Sequence, residues 1–274
     1  MDYFLVGIKD KFQCLYLKKA KKVKMSADSY LRGIISKYSS NKGSAESAVN
    51  AFYPVVQAWG GRFIAKAFYS GSYAKGTAIS LSSDADIFIS LHQSTPGTLA
   101  QNFESLFTAS RNAGYECRKQ NVSIRVSANG FHIDLVPGRQ QDEYGNDHSI
   151  YKRKNDSWVK TDVSKHVDIV KNSGRTEEIK LAKIWRERNN LDFPSFYLEL
   201  AVIEALKWSQ IPLISDRFWK VLDYFQDGFL SARFPDPSNT NNIVSEDLSQ
   251  EEKKTIKNKS ALSKAKKTWQ EIVW

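Results

Sequence analysis

The chain has 274 residues, enough for one large core or for two lobes of ordinary size. Hydrophobic residues make up 41% and charged residues 26%, so the composition excludes a disordered or fibrous protein. Lysine and arginine outnumber acidic residues by 40 to 30, and this net charge of +10 favours partners rich in phosphate.

The cysteines and the N-terminus bear on location. Cys14 and Cys117 are too few and too far apart for a disulfide framework or a thiolate zinc site. The first residues have only a short apolar run broken by charge, which is typical of neither a signal peptide nor a membrane span. The expected compartment is the reducing cytoplasm, with no membrane partner. Residues 1–24, which include the basic stretch Lys18–Lys24, are predicted to be an extension without an assigned role.

Hydrophobic periodicity predicts two kinds of lobe. Helical spacing over 27–59 is interrupted by a polar break at 39–44, which predicts two helices. Strand-like alternation follows at 62–70, 85–91, 122–128 and 131–136, with a helix over 99–113. After a polar stretch over 140–160 the pattern is helical, at 176–189, 195–209, 216–229 and from 245 onward. The predicted fold class is α+β, with a small sheet and its leading helices in 25–160 and a helical lobe in 161–274.

The most informative segment, Phe68–Leu91, contains two aspartates two positions apart. Side chains at i and i+2 of a strand point to the same face, so Asp84 and Asp86 present two carboxylates together. Like charges held this close favour a bound cation, and hard oxygen ligands suit Mg²⁺. A lone Asp-x-Asp would more often be a solvated strand end, so the prediction depends on the motifs beside it.

A turn of small residues precedes the two aspartates. Gly71 and Ser72 end a predicted strand and lead to Gly76 and Thr77, where backbone N–H groups and the Ser72 hydroxyl can approach a phosphate. The alternative is an ordinary surface turn. In combination with the carboxylates, the turn favours a triphosphate site, with Thr77 as an auxiliary contact.

The segment Ser123–Pro137 is typical of a β-hairpin with Asn129 and Gly130 in a tight turn. A two-residue turn would place Arg125 opposite Asp134, on one face with Ser127 and His132. The apolar residues of both strands would take the buried face; they are Ile124, Val126, Ile133 and Leu135. Asp134 is thus the third predicted carboxylate, because a charge among core residues is costly unless it is paired or ligating.

Two side chains are expected beside Asp134. Arg125 has two roles open: balancing the charge of Asp134, or reaching a phosphate once a metal ion occupies the site. For His132, which has no second histidine at ligand spacing, a structural or rim position is favoured over that of a catalytic base.

The order Gly-Ser, Asp-x-Asp on a strand and a single Asp in Ile133–Pro137 resembles the DNA polymerase β nucleotidyltransferase superfamily. Within it the chain is similar to the cGAS/DncV-like bacterial nucleotidyltransferases (CD-NTases), relatives of the oligoadenylate synthetases and class I CCA-adding enzymes. Ile179–Arg186, Pro194–Leu200 and Asp236–Asn242 resemble landmarks of that family's helical lobe, so the resemblance covers about residues 26–274. It implies a polymerase β-like palm, a helical lobe and an active site in the cleft between them.

The resemblance also implies ligands from the helical lobe. By position, Lys183 and Ser195 would contact the donor triphosphate. Phe196 would stack on a base, where the family more often has tyrosine. The alternatives are a solvated helix lysine for Lys183 and a core aromatic for Phe196.

The implied reaction is two-metal phosphoryl transfer. Asp84, Asp86 and Asp134 would hold two Mg²⁺ ions, for which Mn²⁺ could substitute, while nucleoside triphosphates are joined with release of pyrophosphate. The implied product is a cyclic or short linear oligonucleotide second messenger in bacterial anti-phage signalling. Its downstream effector would bind the product rather than the enzyme.

Two other functions stay open. One is template-independent extension of a tRNA or other RNA end, for which the positive charge would bind the RNA backbone. Little chain follows Asp236 for a further RNA-gripping domain, and the lysine-rich run to Lys267 is more simply a solvated helix face than a nucleic-acid patch. The other is a catalytically silent nucleotide-binding module, which the three aspartates argue against because a binder has no need to crowd like charges.

Overall fold

A computed structural model of the chain describes residues 27–82 and 84–274. The predicted extension over 1–24 lies outside the described residues. The chain forms two compact units. One, called the sheet unit here, contains residues 39–176 and Arg233–Asp247; the other, the helical unit, contains residues 27–38, Glu177–Ala232 and Leu248–Trp274.

The sheet unit is built on a mixed sheet. Its strands are β1 (Ile64–Tyr69), β2 (Ala85–Leu91), β3 (Glu116–Lys119), β4 (Ile124–Ala128), β5 (Phe131–Gln140), β6 (His148–Lys152) and β7 (Ser157–Thr161). The main order is β1-β2-β5-β4-β3, and β6 pairs with both β5 and β7. Strands β2 and β5 run parallel, and the other pairs are antiparallel.

Two helices of the sheet unit cover one face of the sheet. They are α2 (Lys42–Gly60) and α4 (Leu99–Asn112), and their buried aromatic residues Phe52 and Phe103 pack into one core with the strands. Asn41 caps α2 through its side chain, and Thr98 forms a capping box at the start of α4. Because this face is filled by helices, the polar side chains at the ends of β2, β4 and β5 are left on the opposite face.

Shorter elements complete the sheet unit. A one-turn helix, α3 (Gly71–Lys75), follows β1, and α5 (Val163–Lys171) packs against it. A two-stranded ribbon, β8 (Pro235–Asp236) with β9 (Asn239–Ile243), belongs to the same unit. The ribbon is held there because the Asp236 carboxylate accepts a hydrogen bond from His166 of α5, with Oδ1 and Nε2 2.6 Å apart.

The helical unit consists of five helices around a core of large aromatic side chains. Trp185, Phe218 and Phe225 are fully buried in it. Its second, third and fourth helices have apolar residues at helical spacing, as predicted. The helices are α1 (27–37), α6 (Thr176–Arg188), α7 (Ser195–Ala205), α8 (Ile214–Asp227) and α9 (Gln250–Lys264).

The lysine-rich last helix is largely solvated, as the sequence favours. Ser249 and Glu252 form a capping box at its start, and Lys254 pairs with Glu251 on the exposed surface. Lys253 is the exception, because it is 6% exposed and lies over the Tyr197 ring.

The division into units differs from the predicted boundary between residues 160 and 161. Helix α1 belongs to the helical unit because Asp28 caps α8, accepting hydrogen bonds from the backbone N–H of Ile214 and Ser215. Residues 161–176 and 233–247 belong to the sheet unit, since α5 packs on α3 and the β8–β9 ribbon binds α5. Within the described part of the chain, every helix is too short or too polar to cross a membrane.

Candidate active site

The β4–β5 hairpin has the predicted two-residue turn. Asn129 and Gly130 both have positive φ, at 50° and 73°, and Ala128 pairs with Phe131 across the turn. This register places Arg125 directly opposite Asp134, which confirms the predicted pairing.

The two faces of the hairpin divide as the alternation predicts. The apolar side chains on the core face are at most 1% exposed; they are Ile124, Val126, Ile133 and Leu135. On the other face His132 is exposed, and its Nδ1 lies 3.2 Å from the Ser127 hydroxyl, in a rim position. Asp134 lies on that face too but is only 8% exposed.

A polar row crosses three strands at the end of the sheet. Asp86 of β2 pairs with Asp134 of β5 in the parallel register, and Asp134 pairs with Arg125 of β4. Side chains directly opposite one another on neighbouring strands share a face, so these three groups lie side by side. Asp84 precedes β2 and flanks the row, separated from Asp86 by the buried Ala85.

Arg125 is bound to two of the carboxylates. Its Nε and one terminal nitrogen each donate to Asp134 at 2.8 Å, which is a bidentate ion pair. The same terminal nitrogen also donates to Asp84. Of the two roles open to Arg125, charge balance is therefore the one seen in this structure.

The single positive charge of Arg125 does not balance the charges of the three carboxylates. Burial and the negative charge of Asp134 raise the pKa of Asp86 to about 6, although Lys75 and a hydrogen bond from the Ser72 backbone N–H act the other way. Burial also raises the pKa of Asp84, against the opposing charge of Arg125. A cation placed among these groups would stabilise their ionised forms.

Gly71 has a structural role that the sequence pattern does not reveal. Its φ is +55°, and a Cβ at this position would overlap the carboxylate of Asp86. The backbone N–H of Ser70 donates to the Asp86 carbonyl at 2.7 Å, and this hydrogen bond holds the backbone before Gly71 close to Asp86. Only a glycine lets the chain pass this close to the row.

The expected small-residue turn is the short helix α3, which ends at Gly76 with a φ of 73°. Ser72 is partly exposed in its first turn. Thr77 is fully buried, and its N–H donates to the Ser72 carbonyl at 2.9 Å, so Thr77 supports the backbone around Ser72. Contacts of Gly71, Ser72 and Thr77 to a nucleotide stay predictions.

The donor set matches a divalent cation in chemistry, since all three side chains offer hard carboxylate oxygens and two share a row. Among residues 27–82 and 84–274, however, no three acidic, histidine or cysteine side chains stand together as a metal site. Arg125 binds both Asp84 and Asp134. Asp84, Asp86 and Asp134 thus fit a metal ion in donor chemistry, while in this structure Arg125 occupies oxygens of two of them.

Lys183 of the helical unit is buried, so the alternative prediction of a solvated helix lysine is wrong. It is 2% exposed, and its Nζ donates to Glu199 at 2.7 Å; Glu199 is itself 1% exposed. Glu199, on α7, was not predicted to be the partner of Lys183, because glutamate is rarely buried unless it is paired and the sequence does not show the pairing. A contact from Lys183 to a triphosphate stays a prediction.

Ser195 and Phe196 begin α7. The Ser195 hydroxyl accepts a hydrogen bond at 2.9 Å from Arg186, a buried arginine that the sequence analysis did not single out. Phe196 is partly buried, while its neighbour Tyr197 is the fully buried core aromatic. Phe196 thus keeps some exposed surface, as base stacking requires.

The motif at Asp236 lies in the sheet unit, so its predicted place in the helical lobe is wrong. Asp236 is 6% exposed and accepts hydrogen bonds from His166 and from the backbone and hydroxyl of Ser238. Burial alone would raise its pKa, but the hydrogen bond and charge of His166, aided by Ser238, hold the pKa at about 2. The motif closes the ribbon onto α5.

Comparison with known families identifies this arrangement. Residues 25–173 match the model of the SMODS domain, described as the Second Messenger Oligonucleotide or Dinucleotide Synthetase domain. The chain belongs to the SMODS family. The match spans more than half of this SMODS protein and includes Asp84, Asp86 and Asp134; it ends before Lys183 and Ser195.

A curated relative supports the family assignment. A cyclic AMP-AMP-AMP synthase of Escherichia coli strain MS 115-1 is 28% identical over 159 residues, which is 50% of this chain and 49% of the synthase. The alignment thus covers only about half of that relative's length.

Solved structures show the fold of the SMODS protein. It superposes on the CdnC:HORMA-deltaN complex of E. coli MS115-1 with a TM-score of 0.68 and 19% identity, covering 90% of this chain and 96% of that one. The CD-NTase CdnG of Bradyrhizobium diazoefficiens in complex with GTP also gives 0.68, with 13% identity and coverages of 87% and 91%. The predicted polymerase β-like α+β fold class is confirmed.

Proposed function

We propose that this SMODS protein is a metal-dependent nucleotidyltransferase that joins nucleoside triphosphates into a cyclic or short linear oligonucleotide, releasing pyrophosphate. The observation that supports it most is the group of three neighbouring carboxylates within the family match, Asp84, Asp86 and Asp134, called the carboxylate row below. A protein that only binds nucleotides gains nothing from crowding negative charges together.

Asp84, Asp86 and Asp134 would hold two Mg²⁺ ions, or Mn²⁺ in their place. When bound, such ions make a hydroxyl a better nucleophile and stabilise the charge of a leaving pyrophosphate. The sequence relation and the donor chemistry support this assignment of ligands.

The side chains of the protein then have separate tasks. The acceptor ribose oxygen forms a bond to the α-phosphorus of the donor, the bond from that phosphorus to the bridging oxygen breaks, and pyrophosphate leaves with the electron pair. Asp134 would accept the hydroxyl proton. Gly71 and Ser72 bring the backbone near the donor phosphates.

The helical unit would supply further contacts to the donor. Lys183 and Ser195 would bind the triphosphate, and Phe196 would stack on a base. Glu199 and Arg186, which bind Lys183 and Ser195 respectively, would hold these two side chains in position.

We extend the proposal to a cytoplasmic enzyme of bacterial anti-phage signalling, whose product is bound by a separate effector. The support is the similarity to a bacterial cyclic AMP-AMP-AMP synthase. Product size, bases and linkage follow from the same experiment that tests the activity.

The purified protein is incubated with four labelled nucleoside triphosphates and Mg²⁺ or Mn²⁺, without RNA, beside the double variant Asp84→Ala/Asp86→Ala. Products are resolved by chromatography and mass spectrometry. We expect a phosphatase-resistant oligonucleotide that the double variant does not make. Labelled RNA ends formed only after addition of tRNA would instead establish terminal transfer, and no product in either assay would contradict a transferase.

A further inference from the structure

A second site lies beside the carboxylate row, on the face of β3 and β4 that α2 and α4 leave uncovered. It is a cavity of about 160 Å³ within the sheet unit. Polar and charged side chains dominate its lining, which consists of Glu116, Cys117, Arg118, Arg125, Ser127 and His132.

Two arginines on neighbouring strands line this cavity side by side. Arg118 of β3 is directly opposite Arg125 of β4 in the antiparallel register. Like charges in this relation destabilise a sheet unless an anion lies between or beside them. The Arg125 side chain is ion-paired with Asp84 and Asp134, whereas the Arg118 side chain is exposed and has no hydrogen bond or ion pair to another described side chain.

Three other polar side chains line the cavity: Ser127, His132 and Glu116. The Ser127 hydroxyl and His132 Nδ1 pair across β4 and β5, 3.2 Å apart. Glu116 pairs in register with Ser127, one step further along β3 from the arginines. An anion is therefore favoured at the end of the cavity formed by Arg118 and Arg125.

We propose that this cavity binds a phosphate group of a nucleotide, and that binding draws Arg125 away from Asp84 and Asp134. The identity of the ligand as a nucleotide rests on the proposed function. Guanidinium groups bind phosphate oxygens through paired, charge-assisted hydrogen bonds, and two such groups face the cavity. A phosphate between the two guanidinium groups would offset the repulsion between their positive charges.

The position of the cavity fits an acceptor nucleotide. Asp134, Arg125 and Arg118 lie on three successive strands, which are spaced by about 5 Å. A nucleotide whose ribose hydroxyl lies at Asp134 has its own 5′-phosphate only a few covalent bonds away. That phosphate would reach along the row towards the two arginines.

This arrangement couples phosphate binding to the carboxylates. The charge of Arg118 already acts on Asp84, whose pKa is raised by burial and lowered by both arginines. While Arg125 is hydrogen-bonded to Asp84 and Asp134, the bonded carboxylate oxygens are not available to a metal ion. A phosphate in the cavity offers Arg125 another partner and leaves both carboxylates available to a metal ion.

The binding step is tested with pyrophosphate in metal-free buffer, by calorimetry and by NMR of the arginine Nε–H groups. We expect the signals of Arg118 and Arg125 to shift together, and Arg118→Gln to weaken binding at least about tenfold. Arg111→Gln, an exposed arginine of α4 outside the cavity, is the matched control and should bind as the wild type does. Unchanged binding by Arg118→Gln, or no wild-type binding, would overturn the site.

The coupling is tested by the affinity for Mn²⁺ in the absence of nucleotide. We expect Arg125→Gln to bind Mn²⁺ on the order of tenfold more tightly than the wild type, and Arg118→Gln, which removes a charge that acts on Asp84 without bonding to it, to change the affinity much less. If Arg125→Gln does not fold, Mg²⁺ added to the wild type should shift the Arg125 Nε–H signal. Equal Mn²⁺ affinity in a folded Arg125→Gln, or no such shift, contradicts the coupling. A protein that makes no oligonucleotide can still give the expected binding results, so failure of the two proposals is distinguishable.

Discussion

At the scale of single residues, the site depends on one arginine and one glycine. Arg125 donates hydrogen bonds to the carboxylates of both Asp134 and Asp84, and Gly71 lets the backbone pass against Asp86. Both features hold carboxylates in an environment where an uncompensated charge is costly. They also place the three side chains without leaving room for a larger residue at position 71.

The substitution Gly71→Ala tests the close approach of the backbone at residue 71 to the Asp86 carboxylate. The new Cβ would overlap the Asp86 carboxylate in addition to straining a φ of +55°, so we expect a loss of about 1–3 kcal/mol in the free energy of unfolding and little product formation. Gly76→Ala is the control, because its φ is +73° but a Cβ there would meet nothing within 4 Å. We expect it to lose stability through backbone strain while retaining activity. Denaturant unfolding and product assays that rank the two variants equally would contradict the argument.

Part of this residue-level picture can be predicted from the sequence. Asp84, Asp86, Asp134 and the Arg125 pairing follow from strand alternation and a two-residue turn, which are local rules. The contact of Gly71 with Asp86 and the partners of Lys183 and Ser195 depend on how separate elements pack against each other. The periodicity of one sequence does not show these contacts.

At the scale of elements, the ribbon β8–β9 shows how a distant segment is attached to the sheet unit. Asp236 is almost fully buried and bonds to His166 of α5. The strands β3, β6 and β7 were not predicted, because each has only four or five residues and β3 and β7 contain exposed positions. β3 and β6 pair with the predicted strands β4 and β5, and β7 pairs with β6, so these strands depend on their neighbours more than on their own hydrophobic pattern.

The Asp236 attachment predicts an acid dependence of stability. Its pKa is about 2 in the folded chain against the ordinary aspartate value of 3.8, so its contribution to stability is present above pH 4 and is lost as the pH falls towards 2. The contribution is about 2 kcal/mol. Urea unfolding at pH 5 and pH 2.5 should show a smaller acid loss for Asp236→Asn than for the wild type. Asp227→Asn, an exposed aspartate, should behave as the wild type; an equal acid loss in Asp236→Asn argues against the ion pair.

At the scale of the whole molecule, the chain does not divide at one point in sequence. It leaves the sheet unit after residue 176 and returns to it for residues 233–247. Periodicity predicts the type of each element but not which unit it joins, so the helix α1 and the motif at Asp236 were assigned to the other unit. The α+β class was predictable because strand-like and helix-like patterns are concentrated in different parts of the chain.

The most direct test of the central claim compares the wild type with Asp86→Asn, measuring pyrophosphate release from nucleoside triphosphates and thermal unfolding in metal-free buffer at pH 7.5. Burial and neighbouring charge raise the pKa of Asp86 to about 6, so its ionised form opposes folding at this pH and the neutral amide should unfold at an equal or higher temperature. We expect pyrophosphate release to fall by at least about a hundredfold. A variant that keeps wild-type release would contradict a catalytic role for the carboxylate row.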